Sequence, residues 1–309
     1  MLRIAVPVAF ALMMTGCDIE SFGDSSRFKE DFHYSFPLKA GGRIHLENFN
    51  GSVEVSGWDQ ETADISGTKY AATEELLQAL KIDIVPAADS IRIRTARPFE
   101  RRGNMGARFV LKVPRKVELE RIATSNGSIR VAGIEGASRL RTSNGAVHAT
   151  NLRGELEART SNGAIEISDS EGPATLETSN GRVRVERLRG SLAATTSNGS
   201  IQARLEKPEP RRPIRLQTSN GGVDLTMDAI QDNEIRASTS NASITVRLPA
   251  PAGARLKAVT SNSSISTDFD VRQEGSRSRT RLEGVLGNGG PLVDLSTSNG
   301  SIKLLKTGD

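Results

Sequence analysis

The chain has 309 residues, of which 36% are hydrophobic and 25% are charged, so it is neither disordered by composition nor a polytopic membrane protein. Lys and Arg number 41 against 37 Asp and Glu, and a formal charge of +4 does not by itself indicate nucleic-acid binding. One cysteine excludes an intrachain disulfide framework, and three histidines make a zinc site unexpected. Aromatic residues are only 4% of the chain, which disfavours an enzyme with a bulky core.

The amino terminus is organised like a secretory signal. Arg3 precedes the apolar run from Ile4 to Met14, which is too short to span a bilayer as a helix. The segment ending in Leu-Met-Met-Thr-Gly-Cys17 resembles a bacterial lipobox, which implies cleavage after residue 16 and lipidation of Cys17. Asp18 then favours the periplasmic side of the inner membrane if the host is Gram-negative. We therefore expect a signal peptide at 1–16, followed by the lipidated cysteine and a polar tether at 17–36.

The region from 37 to 120 is expected to form irregular coils with one short helix at 73–80. The pattern of the later repeat units appears here in degraded form, with Leu46, Val53 and Val55 at positions that are apolar in those units. Thr73 is a suitable N-cap for the segment that follows it.

A Thr-Ser-Asn repeat organises the region from 121 to 309. The motif occurs nine times, with four successive spacings of 18 residues and later ones of 22, 21, 21 and 37. Seven of the nine motifs continue with glycine. The repeated asparagines are Asn126, Asn144, Asn162, Asn180, Asn198, Asn220, Asn241, Asn262 and Asn299.

Each unit contains alternating apolar and polar residues such as Ile165, Glu166 and Ile167, which is typical of a strand with one face buried. A constant register at this period predicts an all-β fold, a single-stranded right-handed β-solenoid of about 11 coils, with 18–22-residue repeats and the one short helix. We expect three short strands in each coil, an insertion at 272–290 that is a loop or a hairpin leaving the stack, and stacked asparagines that form a structural ladder.

Two corners are expected in each coil. The Asn-Gly pair should turn one corner, since Asn tolerates the left-handed conformation and Gly prefers it. The second corner should fall at a recurring glycine, which occupies Gly136, Gly154, Gly172 and Gly190. Alternation also turns the threonine of each motif inward and the serine outward.

The segment Asn48-Phe-Asn-Gly-Ser-Val-Glu-Val-Ser-Gly-Trp58 and the recurrent Thr-Ser-Asn-Gly units, with Gly289-Gly290 before the last unit, resemble the bacterial "putative adhesin" family. The resemblance covers roughly residues 36–306. It implies a β-solenoid at the cell envelope without an assigned activity, and it supplies no binding residues.

The sequence gives little support for a catalytic function. A β-helix glycosidase would need paired carboxylates about 5–9.5 Å apart. Two groups of acids come nearest to this: Asp224, Asp228 and Asp232, and Asp268, Asp270 and Asp294. We expect no enzyme activity, no catalytic residues, no cofactor and no metal site.

Arginines at outward positions form a candidate interaction face. Its members are Arg141, Arg159, Arg182, Arg184 and Arg215. Interspersed glutamates favour a role in solubility and edge protection, and the rival interpretation is binding of anionic envelope polymer or lipid headgroups.

The functional prediction is a non-enzymatic, lipid-anchored cell-envelope scaffold or adhesion module. Its expected partners are the membrane, through the lipid anchor, and an envelope polysaccharide, an anionic lipid or another envelope protein, with no nucleic acid. The alternatives are a carbohydrate-active β-helix enzyme and an accessory subunit of envelope signalling, whose partner would dock on the 73–80 helix or the 272–290 insertion.

Overall fold

The computed structural model describes residues 27–97 and 103–307. The predicted signal peptide, Cys17 and the first part of the predicted tether lie outside the described residues. Among the described residues, no helix has both the length and the apolar character needed to cross a membrane.

The described chain is almost entirely β-structure, with 27 strands and one short helix. The strands form a 13-stranded sheet, called sheet A here, and a 14-stranded sheet, called sheet B. The elements up to residue 114 are β1 (Phe28–Pro37), β2 (Arg43–Glu47), β3 (Val53–Trp58), β4 (Thr62–Ala71), α1 (Glu74–Ala79), β5 (Lys81–Pro86), β6 (Ser90–Ala96) and β7 (Met105–Pro114).

The regular units follow, and each contributes one strand to sheet B and then one to sheet A. They are β8 (Glu118–Ala123), β9 (Ile129–Ala132), β10 (Ser138–Arg141), β11 (Val147–Thr150), β12 (Leu156–Arg159), β13 (Ile165–Ser168), β14 (Ala174–Glu177), β15 (Val183–Leu188), β16 (Leu192–Thr195), β17 (Ile201–Leu205), β18 (Ile214–Gln217), β19 (Val223–Met227), β20 (Ile235–Ser238) and β21 (Ile244–Leu248). The last elements are β22 (Ala254–Thr260), β23 (Ile265–Thr267), β24 (Val271–Arg277), β25 (Arg281–Leu286), β26 (Leu292–Thr297) and β27 (Ile302–Lys306).

Equivalent strands of successive units pair in parallel and in register. In sheet A, Val147 pairs with Ile165, and Ile165 pairs with Val183. These residues are fully buried, so the aliphatic positions of all units form one continuous core between the sheets. The result is a β-solenoid-like repeat, as the period predicts.

The third side of the regular units differs from the prediction of three strands per coil. It carries only single-residue bridges, which join Glu135 to Arg153, Arg153 to Glu171, and Glu171 to Arg189. The segments between a sheet A strand and the next sheet B strand are a few residues long and contain a turn, so they pair at one residue and do not extend into a strand.

Helix α1 begins at the predicted cap. The Thr73 hydroxyl accepts a hydrogen bond from the Leu76 amide at 3.3 Å, which satisfies one of the free N–H groups of the first turn. Leu76 and Leu77 are buried against Met105, in a small cluster separate from the main core.

At both ends, the order of units in space departs from their order in the chain. In sheet B, β2 lies between β6 and β8, and in sheet A, β3 lies between β7 and β9. The last unit behaves in the same way, because β26 lies between β20 and β22, and β27 lies between β21 and β23. The first unit, β2–β3, and the last unit, β26–β27, are therefore internal. The first is covered by β6–β7, which follow it in the chain, and the last is covered by β22–β23, which precede it.

Antiparallel strands cover both ends of sheet B and one end of sheet A, whose other end is the parallel strand β23. Strand β1 pairs with β4, and β4 pairs with β7, while β5 pairs with β6. The predicted tether at 17–36 is thus wrong over its final part, since β1 belongs to the sheet from Phe28 onward.

The predicted insertion at 272–290 contains a hairpin that stays within the stack. Its strands β24 and β25 pair with each other, and β25 pairs antiparallel with β22 at the edge of sheet B. The segment extends the sheet because β22 would otherwise leave its backbone N–H and C=O groups unpaired on that side.

Candidate functional site

The threonine of each motif is buried at a corner and ties two units together. The Thr142 hydroxyl donates to the Gly127 carbonyl of the preceding unit at 2.9 Å and accepts the Gly145 amide of its own unit at 3.3 Å. Thr142 is only 3% exposed, and the same pattern recurs at Thr160. The inward threonine is thus a fully satisfied structural residue.

The predicted left-handed Asn-Gly corner is wrong for the regular units. Their Asn-Gly pairs lack a positive φ, whereas Asn151, Asp169 and Arg187 adopt φ values of 54°, 52° and 52° at the next corner of three successive units. Glycine is needed after asparagine for a different reason. A Cβ at Gly163 would lie 1.8 Å from the carbonyl oxygen of Gly145, so the two backbones could not approach as they do.

The asparagine side chains form a hydrogen-bonded row along the exposed corner. Asn144 Nδ2 donates to Asn126 Oδ1 at 2.7 Å, and Asn162 Nδ2 donates to Asn144 Oδ1 at 2.7 Å. At the carboxy-terminal end, the row follows the spatial order of the units, because Asn299 donates to Asn241 and Asn262 donates to Asn299. The other links join Asn180, Asn198, Asn220 and Asn241 in chain order.

The predicted arginine face is divided between the two sheets. Arg141, Arg159 and Arg215 lie on sheet B, and Arg182 and Arg184 belong to the sheet A side. Within sheet B, Arg141 and Arg159 are adjacent across β10 and β12, and Arg215 is in β18, three strands beyond β12. The five arginines therefore do not form one face.

On sheet B, most outward arginines are paired with acids. The Arg159 guanidinium lies 2.9 Å from Glu157 and 3.3 Å from Glu177. Within the described parts of the chain, Arg141 and Arg215 form no ion pair.

On sheet A, Glu166 is the centre of a charged cluster. Its carboxylate lies 2.8 Å from Arg182 and 3.2 Å from His148. The hydrogen bond from Arg182 holds the pKa of Glu166 below its ordinary value, and nearby His148 and Arg184 act in the same direction. Arg184 itself pairs with Glu186 at 2.6 Å.

The third side repeats the same chemistry. Arg187 donates two hydrogen bonds to the Asp169 carboxylate and lowers its pKa, and Arg189 lowers the pKa of Glu206 in the same way. A general acid needs a carboxyl group whose pKa is raised, and these ion pairs act in the opposite direction.

In the first group of acids considered for glycoside hydrolysis, Asp224 and Asp228 each lie against an arginine. Asp224 binds Arg247, and Asp228 lies 3.2 Å from Arg204, so each carboxylate has its own arginine. The second group is split between the sheets, since Asp294 is in β26 of sheet B and Asp268 follows β23 of sheet A.

A cavity of about 440 Å³ lies at the motif corner of the first units, where the outer wall of sheet B is not filled. Its charged lining residues are Glu47, Arg94, Arg121 and Arg141. Ala123 occupies the position in β8 that Glu47 occupies in β2 and Arg141 occupies in β10. The short side chain of Ala123, between the long side chains of Glu47 and Arg141, leaves this cavity unfilled.

The remaining lining of this cavity is mainly polar. Ser125 and Ser143 are exposed, and half-buried Phe49 stands where the regular units have serine. Arg141 is the only member of the predicted face that lines this cavity. The sequence analysis did not identify Arg94, Arg121 or the other residues that line this cavity. The departures from the repeat at Phe49 and Ala123 were the features of the sequence that could have indicated it.

Comparison with known proteins identifies one family. A family model described as Toastrack DUF4097 matches residues 108–305, which is more than half of the chain. None of the curated proteins matches this chain.

Several solved structures are distantly similar. A "putative cell adhesion protein" from Clostridium sporogenes is 12% identical, with 90% of this chain and 100% of that chain covered and a TM-score of 0.26. A "putative adhesin" from Bacteroides fragilis is 10% identical, with coverage of 90% and 97% and a TM-score of 0.41. A "putative lipid binding protein" from Parabacteroides distasonis is 14% identical, with coverage of 90% and 97% and a TM-score of 0.36. Likeness at this level carries no argument about function.

Proposed function

The chain belongs to the Toastrack DUF4097 family, and from this premise we propose that it is a non-enzymatic, lipid-anchored scaffold or interaction module of the bacterial cell envelope. The family match confirms the resemblance to the "putative adhesin" family that the repeated motif indicates. The proposal includes a right-handed β-solenoid of about 11 coils, with the lipid on Cys17 and the body on the periplasmic side of the inner membrane if the host is Gram-negative.

One observation carries the proposal, namely that equivalent outward positions of successive regular units are displayed along one hydrogen-bonded stack of parallel strands. Neighbouring units hold their corner threonines, glycines and asparagines by repeated hydrogen bonds, as at Thr160, Gly145 and Asn162. Side chains on such a wall recur about every 4.8 Å along the axis, a spacing suited to contact with an extended polymer or another protein. Binding proteins gain affinity when their contact residues are fixed before the partner arrives.

The anchor is tested by replacing the lipidation residue. The Cys17→Ser variant should move from the membrane fraction to the soluble fraction, because serine lacks the sulfur that would carry the thioether-linked lipid. A Ser25→Ala variant in the same segment is the control and should remain in the membrane fraction. Membrane sedimentation of Cys17→Ser equal to that of the natural chain would refute the anchor.

The interaction role is tested separately with a soluble form comprising residues 18–309. We expect it to bind at least one component of an array of envelope glycans and lipids, with affinity that falls as salt rises, because the exposed wall is charged. An array without any binding at low salt, together with no partner captured from solubilised membranes, would overturn this role.

A further inference from the structure

The cavity at the first units has the features of an anion site. We propose that it binds a phosphate monoester carried on a molecule of about monosaccharide size. The inference rests on the proposed function only for the source of the ligand, since an interaction module of the envelope would meet phosphorylated sugars and lipid headgroups there.

The first argument is charge. Three arginines and one glutamate line the cavity, so its formal charge is 3 − 1 = +2. Glu47 is already held by Arg121 at 2.9 Å. Arg94 and Arg141 form no ion pair within residues 27–97 and 103–307, and both are exposed. Two unpaired guanidinium groups on either side of a hollow can each donate two parallel hydrogen bonds to one phosphate.

The second argument is an unpaired buried hydroxyl. Thr95 lines the cavity and is only 5% exposed, yet its Oγ1 has no hydrogen-bond partner in the part of the chain that the structure describes. Thr95 follows Arg94 as Thr142 follows Arg141, but its unit is the outermost one of the stack. Within residues 27–97 and 103–307, no corner beyond this unit supplies a carbonyl like that of Gly127, to which the Thr142 hydroxyl donates. A buried hydroxyl without a partner is costly, and rotation of the Thr95 side chain toward the cavity that it lines would let a ligand oxygen satisfy the hydroxyl.

The third argument is size and shape. A volume of about 440 Å³ falls in the range of small-molecule sites and exceeds what a phosphate alone would fill. Phe49 forms an aromatic wall, and the Arg97 guanidinium lies 5.8 Å from its ring centroid. Ser125 and Ser143 add hydroxyl groups beside the arginines. Phosphate is favoured over carboxylate because its three terminal oxygens match two guanidinium groups and a hydroxyl, whereas a carboxylate has only two.

Calorimetric titration of the soluble form with glucose 1-phosphate, glucose and glucuronate tests the chemistry. We expect glucose 1-phosphate to bind, with glucose undetectable and glucuronate at least about tenfold weaker. Arg141→Gln and Arg94→Gln should each weaken glucose 1-phosphate binding about tenfold or more, since each removes a charge-assisted contact. Ala123→Leu should abolish binding by filling the hollow without changing the charge.

Arg159→Gln is the matched control, because Arg159 lies beside Arg141 on the next strand but is paired with Glu157 and Glu177. It should change binding less than about twofold. Thr95→Val should weaken binding while the melting temperature stays the same or rises, a combination that a purely structural hydroxyl would not produce. Circular dichroism establishes that each variant is folded.

Vesicles of phosphatidylcholine containing phosphatidic acid separate a lipid source of the phosphate from a soluble one. Sedimentation with these vesicles that is lost in Arg141→Gln assigns the site to a lipid headgroup, and glucose 1-phosphate binding without sedimentation assigns it to a soluble ester. The proposal is overturned if neither probe binds, or if Arg159→Gln weakens binding as much as Arg141→Gln. The Cys17→Ser test of membrane anchoring does not involve Arg94, Arg141 or Thr95. Neither outcome of the ligand experiments therefore changes the result of that test.

Discussion

At the residue scale, each position of the motif is explained by the neighbouring unit. The threonine bonds to a glycine carbonyl in the unit before it, and the asparagine bonds to another asparagine. Glycine is favoured because the same carbonyl approaches its Cα so closely that it leaves no room for a Cβ unless the backbone shifts. The serine faces outward without a required side-chain contact, so the contacts that the motif makes are contacts between stacked units.

Substitution of a corner glycine tests this explanation. Gly163→Ala would place a Cβ 1.8 Å from the Gly145 carbonyl oxygen, so the backbone must shift. Ala242 and Ser263 occupy the equivalent position in two other units, so such a shift can be accommodated. We therefore expect a loss of about 1–3 kcal/mol in the free energy of unfolding, measured by urea denaturation.

Gly222→Ala is the control. A Cβ there would lie 3.4 Å from the nearest atom, the carbonyl oxygen of Ser243, which is an ordinary contact. Ala146 and Ala164 already occupy its position in other units. Its effect should stay within about 1 kcal/mol, and equal losses in the two variants would contradict the role assigned to close backbone approach.

At the scale of elements, the asparagine row has a direction. Asn162 donates to Asn144 and accepts from Asn180, whereas Asn126 at the start of the row only accepts, from Asn144. A carboxylate can accept hydrogen bonds but cannot donate them. Replacement by aspartate should therefore be harmful inside the row and mild at its start.

Asn162→Asp should lower the free energy of unfolding by about 1 kcal/mol at neutral pH, and Asn126→Asp should lower it by much less. The carboxylate of Asn162→Asp faces the oxygen of Asn144, which disfavours its charged form in the fold and raises its pKa. The loss should accordingly be present at neutral pH and diminish as acid protonates the group. Thermal melts from neutral to acidic pH measure both effects, and a larger loss for Asn126→Asp would mean that the row does not run as described.

At the scale of the whole molecule, both ends are closed by the same device. The first unit, β2–β3, is covered by β6–β7, and the last unit, β26–β27, is covered by β22–β23. Antiparallel strands then complete three of the four sheet edges, including β1 and the β24–β25 hairpin, and the fourth edge is the parallel strand β23. The last described strands, β26 and β27, are thus internal, whereas β1 at the other end of the described chain is the edge strand of sheet A.

Truncation tests this topology. Removal of residues 291–309 deletes an internal unit with the buried side chains Val293, Leu295, Ile302 and Leu304. Burial of these side chains contributes about 1.5–3 kcal/mol each, and their loss would also separate β22–β23 from the stack. We expect a large fall in the melting temperature and proteolysis within β22.

Excision of the β24–β25 hairpin with a short linker is the control, because it removes the edge of sheet B, with the buried Leu282, Val285 and Leu286, but no internal unit. Its melting temperature should fall less than that of the truncated chain. If truncation were the milder change, the last unit would be terminal and the spatial order described here would be wrong.

The sequence by itself determined the repeat, its buried positions, the helix cap at Thr73 and the inward direction of the corner threonines. These follow from local periodicity and side-chain chemistry, which every unit carries within its own residues. The order of the end units and the β1 strand depended on tertiary structure, because units with one common register can pair with any neighbour. The reason for the glycines and the cavity beside Ala123 also required it, since both arise from the distance between groups in different units, and that distance exists only after the units have stacked.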